Sequence, residues 1–213
     1  MKFYVRKDTS LAPGNAPFSR AEYTRRIAKT RAAMQQAGIE LLFVTDPSNQ
    51  AWLTGYDGWS FYVHQGVLLG LEGEPIWWGR HMDSIGAGRT CWMSAGHIHG
   101  YGDHYVQSTE RHPMQDLAGH IRALGHAGAR IGVEMENYYY SAMAHSVLAA
   151  ELPNAQLLDA TALVNWQRLV KSEDEITFVR NAARITEKVM ATALERAAPG
   201  LRKNDLVADI YHA

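Results

Sequence analysis

The chain has 213 residues, a formal net charge of −1 and 46% hydrophobic residues, as expected for a globular protein. This near-neutral balance gives no broad positive surface for nucleic acid or an anionic membrane. Cys91 is the only cysteine, which excludes an internal disulfide and favours a reducing, cytoplasmic location. The charged start MKFYVRKDTS does not fit a signal peptide, and no segment approaches the roughly twenty apolar residues of a membrane span. We expect a soluble protein without nucleic-acid or membrane partners.

Residues 1–18 contain Pro13, Gly14 and Pro17, which predict an irregular arm. Ser19 and Glu22 then form an S-x-x-E capping box, and Phe18 and Tyr23 flank it as a hydrophobic staple. A helix is therefore predicted from Ser19 to a stop at Gly38. Its basic residues are predicted to form a solvated face: Arg20, Arg25, Arg26, Lys29 and Arg31.

The next 120 residues alternate between strand patterns and helix patterns. Strands are predicted at IELLFVT, at VLLGL and PIWWG as a hairpin, near residues 97–101, at ARIGVEM and at NAQLLDA. Helices or helical turns are predicted at residues 46–55, 81–88, 112–124 and 141–152. This alternation predicts an α/β domain over residues 1–160, with a mixed β-sheet flanked by helices.

The pattern changes after Asp159. Ser172 and Glu175 form a second capping box, and a long amphipathic helix follows until Pro199 and Gly200 end it. A further amphipathic segment, DLVADIYHA, ends the chain. Residues 161–213 therefore read as the start of a second domain that is incomplete here.

The segment LTGYDGWSFYVHQG, residues 53–66, combines aromatic rings, glycines and an imidazole. Rigid rings beside flexible backbone suit the wall of a small-ligand site. The candidate binding residues are Trp59, Phe61, Tyr62 and His64. The alternative is that the rings only cap a hydrophobic core at a sheet edge, with His64 ending a strand.

Other motifs are incomplete. His97 and His99 are spaced to point the same way on a strand, yet hydrogen-bonding histidines explain them more simply than a metal site does. Glu134 and Glu136 could present two carboxylates, but a strand end emerging into water is favoured. Cys91 is read as a buried thiol rather than a nucleophile. From the residues alone, no complete catalytic constellation is found, and neither a metal nor a cofactor is predicted.

Three segments resemble the creatinase and Xaa-Pro peptidase superfamily: FSRAEYTRRIAKTRAAMQQAGIELLFVTDPSNQAWLTGYDGWSFY, IGVEMENYYYSA and DATALVNWQRLVKSEDEITFVRNAARI. This resemblance implies a creatinase-type N-terminal α/β domain, followed by the first helices of a truncated pita-bread α+β domain. The superfamily's catalytic and metal-binding positions then lie beyond residue 213. The resemblance accordingly assigns no catalytic or metal residue here, and the 213 residues alone are expected to be inactive.

Within the superfamily, the segments GYDGWSFYVHQG, EPIWWGRHMD and YGDHYVQSTERHPM are similar to the ectoine hydrolase branch. This similarity implies hydrolysis of a C–N bond in the cyclic amidine ring of ectoine by a homodimer. The N-terminal domain of one subunit would cover the catalytic pocket of the other. The aromatic residues would then pack on the substrate and exclude water, and His64 would bind its carboxylate.

Two alternative functions remain open at this stage. One is the N-terminal part of a metal-dependent Xaa-Pro peptidase or a creatinase-like amidinohydrolase. The other is a stand-alone, non-catalytic module for binding or dimerisation.

Overall fold

The computed structural model describes residues 16–213, so most of the predicted irregular arm lies outside the described residues. The strands are β1 (Leu41–Val44), β2 (Gly66–Gly70), β3 (Ile76–Arg80), β4 (Ile98–Tyr101), β5 (Arg130–Val133) and β6 (Gln156–Asp159). The helices are α1 (Arg20–Gln36), α2 (Pro47–Thr54), α3 (His81–Thr90), α4 (Pro113–Ala123), α5 (Ala142–Glu151), α6 (Leu163–Leu169), α7 (Glu173–Arg196) and α8 (Lys203–His212). The predicted order of strands and helices is confirmed, except that α6 was not predicted.

The described strands form one mixed sheet in the order β4-β3-β2-β1-β5-β6. Strand β2 pairs antiparallel with both β1 and β3, whereas the β1–β5, β5–β6 and β3–β4 pairs are parallel. The carboxyl ends of five strands therefore lie at the same edge as the start of β2. This is the edge at which open α/β sheets bind ligands.

Alternation along β1 sends its side chains into two separate cores. Leu42 and Val44 belong to the core that includes residues of α1 and α2. Leu41 and Phe43 belong to the core that includes residues of α4 and α5. The sheet is thus covered by helices on both faces.

Local signals fix the ends of α1 as predicted. Ser19 Oγ accepts a hydrogen bond from the Glu22 N–H at 3.2 Å, and the Phe18 and Tyr23 rings meet edge to face at 6.1 Å. Gly38 follows the helix with φ +66°, a left-handed conformation that glycine adopts without steric cost.

The prediction of a solvated basic face on α1 is wrong for Arg26, which is 1% exposed. Its Nε donates to Glu22 Oε1 at 2.9 Å and its Nη1 donates to the Trp52 carbonyl at 3.0 Å. Its guanidinium also lies 3.9 Å from the centroid of the Phe18 ring. A planar cation that stacks on aromatic rings and pairs with a carboxylate can be buried in this way.

The chain divides into two compact units, one ending at Leu169 and the other spanning Val170–Ala213. The second unit contains α7 and α8. Ser172 and Glu175 form the predicted reciprocal capping box at the start of α7. Large apolar side chains of this unit are exposed: Val170, Phe178, Val179, Ile185, Met190, Leu194, Leu201, Val207 and Tyr211.

Within residues 16–213, the helices are too short or too polar to cross a bilayer. The assignment of residues 161–213 to a second domain stays a prediction.

Candidate functional site

A cavity of about 190 Å³ opens at the carboxyl edge of the sheet, between the 55–65 loop before β2 and the segment that follows β5. Its lining residues are Ser60, Phe61, Tyr62, Val63, His64, Gln65, Tyr138, Tyr139 and Ser141. Three of the four predicted binding residues therefore line one cavity.

The predicted aromatic residues of the loop are largely open to solvent. Trp59 is 61%, Phe61 78% and Tyr62 64% exposed. Trp59 lies outside the lining but packs edge to face against Phe61 and Tyr139, each with ring centroids 6.4 Å apart. Since exposed rings of this size rarely occur together without a binding role, they form a candidate contact surface.

Tyr56 belongs to the core and not to this surface. It is 5% exposed, and its ring centroid lies 5.2 Å from that of Trp77. The interpretation of the loop as a core cap thus applies to its first part, and the interpretation of its second part as a binding wall stays a prediction.

The opposite wall of the cavity was missed by sequence reasoning. Tyr138 is 99% exposed, and Tyr139 and Ser141 follow it in the turn before α5. The available signal was the NYYYS run directly after a predicted strand. Because that strand is parallel to β1, its following turn reaches the same sheet edge as the aromatic loop.

His64 is held from two sides. Its Nδ1 lies 3.4 Å from the Tyr139 carbonyl oxygen, and the Tyr101 hydroxyl donates to the His64 carbonyl at 2.8 Å. Burial lowers the pKa of His64, and the contact with the Tyr139 carbonyl only partly opposes this. We therefore expect His64 to be neutral at pH 7.

His112 lies beside His64, with ring centroids 5.0 Å apart. Its Nδ1 accepts a hydrogen bond from the Met114 N–H at 3.2 Å and so caps α4, while Gln115 Oε1 accepts from the His112 N–H at 3.0 Å. Burial, with a smaller contribution from His64, lowers the pKa of His112 to about 4. The cap requires an unprotonated Nδ1, which agrees with this direction.

We expect folding stability to fall as the pH drops from 6.5 to about 4, because the unfolded chain binds a proton at His112 more readily than the folded chain. His112→Asn keeps a capping oxygen but cannot titrate. Since the ring is only half-buried, solvent screening limits the expected difference in pH dependence to about 1 kcal/mol. Urea unfolding of both proteins across this range measures it. Identical pH profiles would show that His112 does not contribute.

A second, smaller cavity of about 110 Å³ lies at the same edge and is lined by Asp46, Glu134, Glu136, Asn137, Thr161, Ala162 and Asn165. We predicted that the strand end with Glu134 and Glu136 emerges into water. This prediction is wrong for Glu134, which is 3% exposed, and is confirmed for Glu136, which is exposed. Glu134 Oε2 accepts from the Thr45 N–H at 2.6 Å and the Asp46 N–H at 2.7 Å. The Glu134 carboxylate thus joins the ends of β1 and β5.

The Glu134 contacts continue into α6. Asn49 Nδ2 donates to Glu134 Oε1 at 2.6 Å and to Asn165 Oδ1 at 2.8 Å, and its Oδ1 accepts from Arg168 at 2.7 Å. Burial raises the pKa of Glu134, and the hydrogen bonds from Asp46, Asn49 and Thr45 oppose the rise. These hydrogen bonds give the Glu134 carboxylate a structural role in joining β1 and β5 to α2 and α6.

The remaining candidate motifs do not form a reactive centre. His97 lies in a 3₁₀ turn near Glu74, whereas His99 lies on β4 with its ring 4.7 Å from that of His120, so the prediction that both lie on one strand is wrong. Burial raises the pKa of the Cys91 thiol to about 12, which confirms the buried-thiol reading. Among the described residues, no three His, Cys, Asp or Glu side chains are grouped to hold a metal ion.

Comparison with known proteins identifies the family to which the chain is similar. The creatinase/prolidase N-terminal domain matches residues 26–170. An ectoine hydrolase of Halomonas elongata is 53% identical over 92% of this chain and 49% of its own length. An uncharacterised hydrolase/peptidase of Sinorhizobium fredii is 44% identical over 92% of this chain and 50% of its own length. The chain thus spans about half the length of the curated relatives it matches.

Solved structures agree with the fold. The crystal structure of a dipeptidase from Mycobacterium ulcerans superposes with a TM-score of 0.67 at 24% identity, over 92% of this chain and 49% of the other. At this identity the match supports the architecture alone.

Proposed function

Because the chain belongs to the creatinase/prolidase N-terminal domain family, we propose that it forms the substrate-covering half of a hydrolase that opens the ring of ectoine. The observation that carries this proposal is the 53% identity to an ectoine hydrolase over 92% of the chain. The cavity at the sheet edge supplies the place where such a cover would contact substrate.

The surface fits a small ring that carries a delocalised cation and a carboxylate. Exposed Phe61, Tyr62 and Tyr138 offer aromatic faces, which attract cations and displace water from an apolar ring. Trp59 would extend this cover at its margin. His64 supplies a polar contact within the cavity.

The reaction itself needs groups that this cavity does not offer. Attack of water on the carbon between two nitrogens gives a tetrahedral centre, and the departing nitrogen must receive a proton. We assign the acid and base to the pita-bread domain of the whole enzyme, and the cover to a homodimeric, cytoplasmic arrangement in which it reaches the partner's pocket. The 213 residues alone are then expected to bind without turnover.

A chimera tests this function: the chain replaces the matching half of the Halomonas elongata ectoine hydrolase. We expect the chimera to hydrolyse ectoine, and the His64→Ala chimera to lose about 10- to 100-fold in kcat/KM through the lost polar contact. The control is His126→Ala, because His126 precedes β5 at the opposite edge of the sheet.

The control variant is expected to keep the kcat/KM of the unmodified chimera. A chimera that is folded and dimeric but does not act on ectoine would contradict the substrate assignment. An unchanged kcat/KM in the His64→Ala chimera would remove His64 from the site while leaving the rest of the proposal standing.

A further inference from the structure

The contact between His64 and Tyr139 favours one of the two neutral forms of the His64 ring. A carbonyl oxygen can only accept, so the 3.4 Å approach of Nδ1 to the Tyr139 carbonyl places the hydrogen on Nδ1. In the neutral ring the other nitrogen, Nε2, then has a lone pair and no hydrogen. His64 lines the cavity, and in this form its ring has one hydrogen-bond acceptor, Nε2.

The groups around His64 do not favour a positive charge on its ring. The Tyr101 hydroxyl is directed to the His64 carbonyl, and the neighbouring ring is His112, whose own Nδ1 accepts from Met114. Asp116, the acidic residue in the first turn of α4, has other partners. Its carboxylate accepts a hydrogen bond from Trp78 Nε1 at 2.7 Å and lies 3.5 Å from His120. Within residues 16–213, no carboxylate forms an ion pair with His64.

Taking the proposed covering role as its basis, we propose that His64 selects the ligand by accepting a hydrogen bond at Nε2 from a ligand N–H. The cavity then holds the amidinium end of the substrate, with Phe61, Tyr62 and Tyr138 available to its faces. The carboxylate is directed away from His64, opposite to the orientation that the family resemblance suggests. The class of ligand is a small, flat cation with N–H groups, such as an amidinium or a guanidinium.

Charge and hydrogen bonding favour this orientation together. A ligand carboxylate placed at Nε2 would meet a lone pair, because neutral His64 has no hydrogen there to donate. An amidinium N–H supplies the missing donor, and its positive charge is attracted to aromatic faces. The His112 ring packs against His64, and its Nδ1 stays committed to the α4 cap.

In this orientation, ligand binding should depend on pH. Acid would protonate two rings whose centroids are 5.0 Å apart, and the resulting charge would repel a cationic ligand. Because burial lowers the pKa of His64, binding of an amidinium should weaken, and binding of a carboxylate should strengthen, only as the pH falls below that lowered pKa.

Nitrogen-15 NMR of the histidine rings tests the inference on the unmodified chain. At pH 7.5 we expect His64 to show a protonated Nδ1 and an unprotonated Nε2. Acetamidinium should shift the Nε2 signal, and acetate should not. In His64→Phe, which keeps a flat ring, acetamidinium should bind about tenfold more weakly, the usual value of one hydrogen bond.

The inference is overturned by a His64 ring with hydrogen on Nε2, by an imidazolium at pH 7.5, by tighter binding of acetate than of acetamidinium, or by no response to acetamidinium. Ectoine turnover by the chimera is a separate readout. Acetamidinium binding without turnover would reject the ectoine assignment and keep the acceptor role of His64. Ectoine turnover by the chimera, together with a His64 ring that carries its hydrogen on Nε2, would keep the ectoine assignment and reject the acceptor role of His64.

Discussion

Arg26→Ala is expected to lower the free energy of unfolding by about 3–5 kcal/mol, the usual cost of breaking a buried ion pair. The guanidinium is 1% exposed and the carboxylate of Glu22 is 7% exposed, so neither group gains much water when its partner is lost. The substitution also removes the hydrogen bond to the Trp52 carbonyl and the stacking on Phe18. Urea unfolding followed by tryptophan fluorescence measures the change.

Arg25→Ala is the matched control, since Arg25 pairs with the same carboxylate but has a 44% exposed side chain. Surface pairs contribute little, so we expect this variant to lose at most about 1 kcal/mol. Equal losses for the two variants would show that burial does not distinguish the arginines. Arg26→Met separates charge from volume, because a long apolar side chain keeps part of the packing.

Glu134→Ala is expected to cost about 3 kcal/mol or more, because it leaves buried donors of Thr45, Asp46 and Asn49 without their acceptor. The loss should appear as a lower urea midpoint. It should also loosen α6, because Asn49 connects Glu134 to Asn165 and Arg168. Hydrogen exchange of the α6 amides would report that second effect.

Two further variants serve as controls for Glu134→Ala. Glu134→Gln keeps one acceptor oxygen and should cost less than Glu134→Ala. Glu136→Ala removes an exposed carboxylate two residues away and should change the unfolding free energy by no more than about 0.5 kcal/mol. A Glu134→Ala protein as stable as Glu136→Ala would mean that water replaces the lost carboxylate.

The candidate site was only half predictable from the sequence. Trp59, Phe61, Tyr62 and His64 lie within six consecutive residues, so one dense aromatic segment was enough to select them. The second wall comes from a turn some seventy residues later, as the 75-residue separation of His64 and Tyr139 shows. Composition carries no sign of such a pairing, which depends on the parallel alignment of β1 and β5.

The sequence by itself determined most of the secondary structure, though not α6, because its signals are local. Capping serines at residues 19 and 172, the helix-ending Gly38 and Gly55, and hydrophobic periodicity each act within a few residues. The tertiary structure alone decided that Arg26 and Glu134 are buried. Charged side chains are solvated unless distant groups complete their hydrogen bonds, and the donor from Thr45 to Glu134 lies 89 residues away in the chain.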